Sequence, residues 1–207
     1  MEDKKYFSRQ IDESLMAWKN STRHKPLLLR GARQVGKSSS VRHLAKQFDY
    51  FVEINFERKP AYLEIFKGDR DAKHIVEMIK SITGEPIVPG KTLLFFDEIQ
   101  MCQEAISSLR FFWEDMPGLH VIAAGSLLEF ALSEIPTFGV GRIHSMFMYP
   151  MSFDEFLNAL GMFSLQKYKR EASPEKPLLS ALHEQLVSLF RTYLMVGGMP
   201  ESVSTWV

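Results

Sequence analysis

Gly31-Ala32-Arg33-Gln34-Val35-Gly36-Lys37-Ser38 constrains this chain more than any other stretch, because it fills the pattern Gly-x-x-x-x-Gly-Lys-Ser/Thr without a mismatch. A loop that wraps a phosphate must turn its backbone N–H groups inward, and it needs glycine where a side chain would clash. The lysine then brings a mobile positive charge to the outer phosphates, and the hydroxyl of Ser38 offers an oxygen to Mg²⁺. A helix opening near Lys37 adds the positive end of its dipole. At ordinary residue frequencies a random chain of this length matches in roughly one case in a hundred, so context must decide. Pro26-Leu27-Leu28-Leu29-Arg30 is a strand-like apolar run ending at Gly31, and Val41, Leu44, Ala45 and Phe48 form an i, i+3, i+4, i+7 stripe just after Ser38. Strand, loop and helix therefore stand in the required order. The expected phosphate-binding set is Gly31, Ala32, Arg33, Gln34, Val35, Gly36, Lys37, Ser38 and Ser39.

The same alternation continues along the chain. Ile11, Leu15 and Trp18 give residues 8–19 helical spacing. Val52, Ile54 and Phe56 alternate as in a second strand, and Pro60 suits the first turn of a short helix. Ile75, Met78, Ile79 and Ile82 form a stripe stopped by Gly84, and Thr92 to Phe96 is a continuous apolar run, as in a parallel strand covered on both faces. Ala105, Ile106, Leu109, Phe112 and Trp113 predict a helix, and His120 to Gly125 a fourth buried strand. Residues 127–133 read as helical, 136–141 as a glycine-containing loop, and 142–149 as a weak fifth strand. Ser152 and Glu155 make a capping box with Gly161 as its stop; 162–177 is poorly patterned; Leu178 to Tyr193 marks a long helix ending at Gly197-Gly198. The fold class expected is α/β: a three-layer α-β-α sandwich of the phosphate-loop NTPase type. It has a parallel sheet of about five strands, a core over 1–150 and a small helical part over 151–207.

Asp97-Glu98 closes the third strand, at the carboxyl edge of the sheet where ligands of open α/β folds bind. Asp97 is placed to hold Mg²⁺ through a bound water, and Glu98 to orient and deprotonate an attacking water. Ser126 follows the fourth strand directly; it can contact the γ-phosphate or the water, or cap a helix over 127–133, or both. Gly141-Arg142 puts an arginine on a loop, where it can stabilise phosphate charge in its own subunit or a neighbour, or form a surface salt bridge. Arg33 and Arg110 are weaker candidates of the same kind.

The chain has 207 residues, 45% of them apolar and 12% aromatic, enough to bury a core and too many for a disordered protein. No apolar run approaches a membrane span, and Met1 to Lys5 leads into no apolar stretch, so no signal peptide is read. The single cysteine, Cys102, excludes an internal disulfide and a cysteine-built zinc site, in keeping with a reduced, cytoplasmic protein. Net charge is zero, yet residues 1–48 hold eleven basic and four acidic side chains, a local +7. Such a segment can meet nucleic acid or a nucleotide's phosphates, or simply solvate surfaces. The six histidines show no His-x-x-x-His pair, and the hydrolase elbow, the dinucleotide fingerprint and the guanine-reading Asn-Lys-x-Asp pattern are absent.

Taken in order, the phosphate loop, Leu94-Phe95-Phe96-Asp97-Glu98-Ile99-Gln100, Ala124-Gly125-Ser126, Gly141-Arg142, Tyr149-Pro150-Met151-Ser152-Phe153-Asp154-Glu155-Phe156 and Gly197-Gly198-Met199-Pro200-Glu201 resemble the widespread bacterial and archaeal AAA-superfamily ATPases. The resemblance implies that the Asp97-Glu98 strand is separated from the loop strand by the Ser126 strand, and that Ser126 is the first sensor. It implies ATP as ligand. It also implies that a nuclease-like domain usually follows the Gly-Gly-Met-Pro segment, so that a chain ending six residues after Glu201 is an ATPase-domain fragment.

The leading expectation is an ATPase whose cycle with ATP and Mg²⁺ moves the 151–207 part or a partner. A nucleotide switch with negligible turnover, the ATPase module of a nucleic-acid-processing protein and a small-molecule kinase are the alternatives. Self-association is open, and no membrane partner is expected.

Overall fold

Apolar runs of four to six residues cannot cover both of their own faces, and here they do so by pairing side by side beneath helices. The computed structural model describes residues 6–68, 71–126, 128 and 141–207. Strands β1 (Leu27–Arg30), β2 (Tyr50–Asn55), β3 (Thr92–Asp97), β4 (His120–Ala124) and β5 (His144–Phe147) form one sheet in the order β2-β3-β4-β1-β5. Every pairing is parallel. The strand ending in Asp97-Glu98 is thus separated from the loop strand by β4.

Alternation along each strand sends neighbouring side chains to opposite faces. Leu93 and Phe95 of β3 join Leu27 and Leu29 of β1 beneath α1 (Gln10–Asn20) and α2 (Lys37–Ala45), which contribute Leu15, Trp18, Val41 and Leu44. Leu94 and Phe96 face the other way. They pack with Ile54, Val121 and Ala123 against α3 (Ala72–Thr83) and α4 (Gln103–Asp115), through Ile75, Ile79, Ile106, Leu109 and Phe112. Each fully buried side chain of this size stabilises the sandwich by roughly 1.5–3 kcal/mol. β3 is buried along its whole length, as its unbroken apolar run predicts. β5 is mostly exposed, which explains its faint pattern.

Four helices follow: α5 (Phe153–Ala159), α6 (Phe163–Glu171), α7 (Ser180–Val196) and α8 (Pro200–Trp206). The capping box at α5 forms as expected: Glu155 N–H donates to Ser152 Oγ at 3.3 Å, and Ser152 N–H to Glu155 Oε2 at 2.7 Å. Two elements depart from expectation. The stretch 162–177 holds α6, whose pattern is faint because only Leu165 and Gln166 are buried on it. Residues after the double glycine form α8, with Pro200 in its first turn and Val203 buried. Met151 N–H donates to Gly198 O at 2.7 Å and Tyr193 Oη to Met151 O at 2.8 Å, so the Gly-Gly-Met-Pro segment is seated on the strand that leaves β5. The expected helix over 127–133 and most of the loop over 136–141 lie outside the described residues.

Candidate functional site

β1 delivers the chain to Gly31 at the carboxyl edge of the sheet. Gly31 has φ +148°, and a Cβ there would come within 2.1 Å of the carbonyl oxygen of Met148. The loop and the chain leaving β5 touch backbone to backbone, which only glycine allows. Val35 is fully buried and anchors the loop in the core, while Gly36 opens α2 in the left-handed conformation.

Lys37 is the first residue of α2. Its Nζ donates to Gly31 O at 2.9 Å and Ala32 O at 2.8 Å, so the loop's own carbonyls hold the ammonium at its mouth. Burial pulls the Lys37 pKa below the usual lysine range, against the opposing charges of Glu98 and Asp97. Ser38, one residue on, donates from Oγ to Asp97 Oδ1 at 2.9 Å.

Asp97 ends β3 and collects several partners. Asn55 faces it in the β2–β3 register and donates from Nδ2 to Oδ2 at 3.0 Å. Arg42 lies 3.7 Å from the same oxygen while making a two-armed pair with Glu53, at 2.6 and 3.0 Å. Burial pushes the Asp97 carboxyl above the usual range, the Ser38 hydrogen bond opposes it, Glu53 and Glu98 add to it, and Arg42 opposes it. A hydroxyl and a carboxylate in contact at the loop's end are hard oxygen donors, and Mg²⁺ takes few protein oxygens, completing its shell from phosphates and water. The donor set fits Mg²⁺.

Glu98 takes a left-handed backbone (φ +52°, ψ +45°), which swings the chain off β3 into a 3₁₀ turn over Ile99–Met101. Its Oε2 accepts from Gln100 Nε2 at 2.6 Å. Ser126 is buried on the same sheet edge, two residues past Ala124, which pairs with both Leu29 and Asp97. It therefore lies between the loop and the acidic pair. A cavity of about 540 Å³ runs from Arg33, Gln34, Gly36, Lys37, Ser38, Ser39 and Glu98 to Tyr6, Met151, Pro200, Glu201, Ser204 and Thr205. Its size suits a small organic ligand.

The arginines divide. Arg142 precedes β5, whose first residue pairs with the first residue of β1. In a parallel sheet that is the amino edge, opposite the loop, and Arg142 there binds Glu114 at 2.6 Å. A role for Arg142 at the loop of its own chain is thereby corrected. Arg33 is exposed and lies 3.4 Å from Glu57, and Arg110 sits over the Phe111 ring on α4. The arginine that sequence reasoning missed is Arg9. Its Nη1 donates to Val35 O at 2.8 Å, its Nη2 to Tyr149 O at 2.7 Å and its Nε to Glu155 Oε1 at 3.0 Å. Nothing local marks it, since its partners lie 26, 140 and 146 residues away. With Lys37 and Arg42 it engages part of the basic first quarter at this site.

A family model described as an AAA domain matches residues 23–157. The Walker-type ATPase PABY2304 of Pyrococcus abyssi superposes with a TM-score of 0.57 at 18% identity, over 96% of this chain and 66% of that one. C. elegans PCH-2 does so with a TM-score of 0.53 at 14% identity, over 95% and 59%. At such identities the likeness is one of fold, and this chain spans less than two thirds of either structure's length. No curated relative matches the sequence. Among the described residues no helix is long and apolar enough to cross a membrane.

Proposed function

We propose that this chain, which belongs to the AAA-domain family, binds ATP with Mg²⁺ at the Gly31–Ser38 loop and hydrolyses it. The observation that carries the reading is the 2.9 Å contact between Ser38 Oγ and Asp97 Oδ1 beside the buried Lys37. The loop's N–H groups and the α2 dipole bind the phosphates, and Lys37 exchanges its two carbonyl partners for phosphate oxygens. Ser38 and Asp97 hold Mg²⁺, which neutralises charge on the outer phosphates when bound. Glu98 orients the attacking water and accepts its proton, and Ser126 donates to the γ-phosphate or to that water.

Met151, Pro200 and Glu201 wall the same cavity as Lys37. That shared wall supports a lid-like role for the 151–207 helices, moved by the state of the nucleotide. Adenine as the base, a cytoplasmic setting and self-association belong to this reading. With Arg142 on the far sheet edge, any contribution it makes to a phosphate is made in a neighbouring copy.

The test measures ATP binding and phosphate release together for wild type, Lys37→Ala and Glu98→Gln. Lys37→Ala is expected to lose binding and turnover. Glu98→Gln is expected to keep binding and lose turnover by about 10²-fold or more, the scale of a general base. Equal release rates in all three would sink hydrolysis, and tight binding without release above background would make the protein a nucleotide switch.

A further inference from the structure

Glu98 and Gln100 lie two residues apart on a chain that doubles back, and the fold spends unusual geometry on bringing them together. The left-handed backbone at Glu98 turns the chain directly off β3, a conformation that a non-glycine residue holds only when its surroundings impose it. The 3₁₀ turn that follows returns the Gln100 side chain to Glu98, where Nε2 donates to Oε2 at 2.6 Å. A bond from an amide N–H to a carboxylate is charge-assisted and fixes direction strongly.

The other end of the Gln100 amide is held differently. Its Oε1 is buried and has no hydrogen-bond partner among the described residues. It rests on the bare backbone of Gly125, where a Cβ would come within 2.2 Å of Oε1 and 3.3 Å of Cδ. A glutamine with one polar atom buried and unpaired is a costly way to fill space. Glu98 itself faces the phosphate end of the cavity, beside Lys37 and Ser38.

We propose that Gln100 is a positioning residue for hydrolysis: it immobilises the Glu98 carboxylate through Oε2, with Gly125 as its seat, and leaves Oε1 of Glu98 to accept the proton of the attacking water. The proposal rests on the ATPase reading above. No bond to substrate is asked of Gln100. It restricts the rotation of Glu98, so its loss lowers the fraction of bound complexes in which the base is aligned and leaves nucleotide affinity alone.

Gln100→Met keeps most of the side chain's volume and removes the donor without adding a charge; Gln100→Ala removes both. Each is expected to lower kcat at least tenfold with KM for ATP changed less than threefold, while the thermal midpoint of Gln100→Met moves little. Gly125→Ala, which displaces the amide from its seat, is expected to lower kcat the same way. A structural role alone predicts a lower midpoint without the kcat-against-KM split. A readout independent of turnover is the Gln100 side-chain amide resonance in ¹⁵N NMR of the nucleotide-free protein, identified by its loss in Gln100→Ala. It is expected to shift in Glu98→Gln. Unchanged kcat in Gln100→Met, or an amide resonance indifferent to Glu98→Gln, overturns the proposal while the ATPase reading stands. Glu98→Gln turning over as fast as wild type removes the base that Gln100 would position and overturns the proposal; release by Lys37→Ala at the wild-type rate as well overturns the ATPase reading.

Discussion

Arg9 and Glu155 form an ion pair at 3.0 Å with side chains only 5% and 7% exposed. The pair ties the start of α1 to the start of α5, and the guanidinium Nη1 holds the phosphate loop through Val35 O. Glu155 also accepts from the backbone N–H groups of Gln10 and Ser152. Loop, amino-terminal segment and carboxyl-terminal helices therefore share one buried polar hub.

Removing one member of a buried pair strands the other, typically at about 3–5 kcal/mol. Arg9→Met is expected to destabilise the fold by about 3 kcal/mol in urea unfolding, and to weaken ATP binding because Val35 O loses its donor. Adding Glu155→Gln should restore part of the stability, since the uncompensated charge is gone. A cost below about 1 kcal/mol for Arg9→Met would mean that the hub does not hold the loop.

What was legible in the sequence follows from distance along the chain. The Gly31–Ser38 loop is contiguous, and Asp97 and Glu98 are adjacent at the end of an apolar run, so pattern alone locates them. Asn55 and Arg9 reach the site through strand register and long-range packing, and neither has a local signature. Gln100 is near Glu98 in sequence, but only the left-handed turn makes the two side chains meet. Arg142 stays open in the sequence between a phosphate and a surface salt bridge, because a glycine-bounded arginine says nothing of which edge of the sheet it occupies. α6 escaped notice because a helix with two buried positions leaves no stripe to read.

Gly31 offers a sharp contrast with Gly84. Both have positive φ, at +148° and +73°, but only Gly31 faces backbone, the Met148 carbonyl, while nothing lies within 4 Å of a Cβ at Gly84. Gly84→Ala bears only the conformational penalty at the end of α3, about 1 kcal/mol. Gly31→Ala adds a clash that neither β1 nor the chain leaving β5 can relieve, and should cost more than about 3 kcal/mol. Thermal midpoints measured side by side are expected to fall by a few degrees for Gly84→Ala and by 10 °C or so for Gly31→Ala, at roughly 2–4 °C per kcal/mol. Similar midpoints would contradict the close approach that fixes the loop.

His24 and His120 stack at 3.7 Å beneath Trp18 and Phe48, at the amino edge of the sheet. His120 Nε2 meets the Lys19 carbonyl at 3.0 Å, and the Nδ1 atoms of both rings are buried without a partner among the described residues. The Lys19 ammonium over Phe48 can only repel an imidazolium at His120. Burial first, and then His120, bring the His24 pKa down to about 4, and burial lowers His120 as well. A histidine depressed in the folded state takes up its proton earlier in the unfolded chain. Above pH 6.5 both states are neutral and the pair has no effect on stability. Between 6.5 and about 4 the unfolded chain binds more protons, so stability falls as pH falls. The expected loss over that window is on the order of 2 kcal/mol, allowing for solvent near the rings. His24→Phe, which keeps the stack and removes one titrating site, should flatten the urea midpoint between pH 6.5 and 4.5. An unchanged slope in that variant would show that other groups set the acid sensitivity.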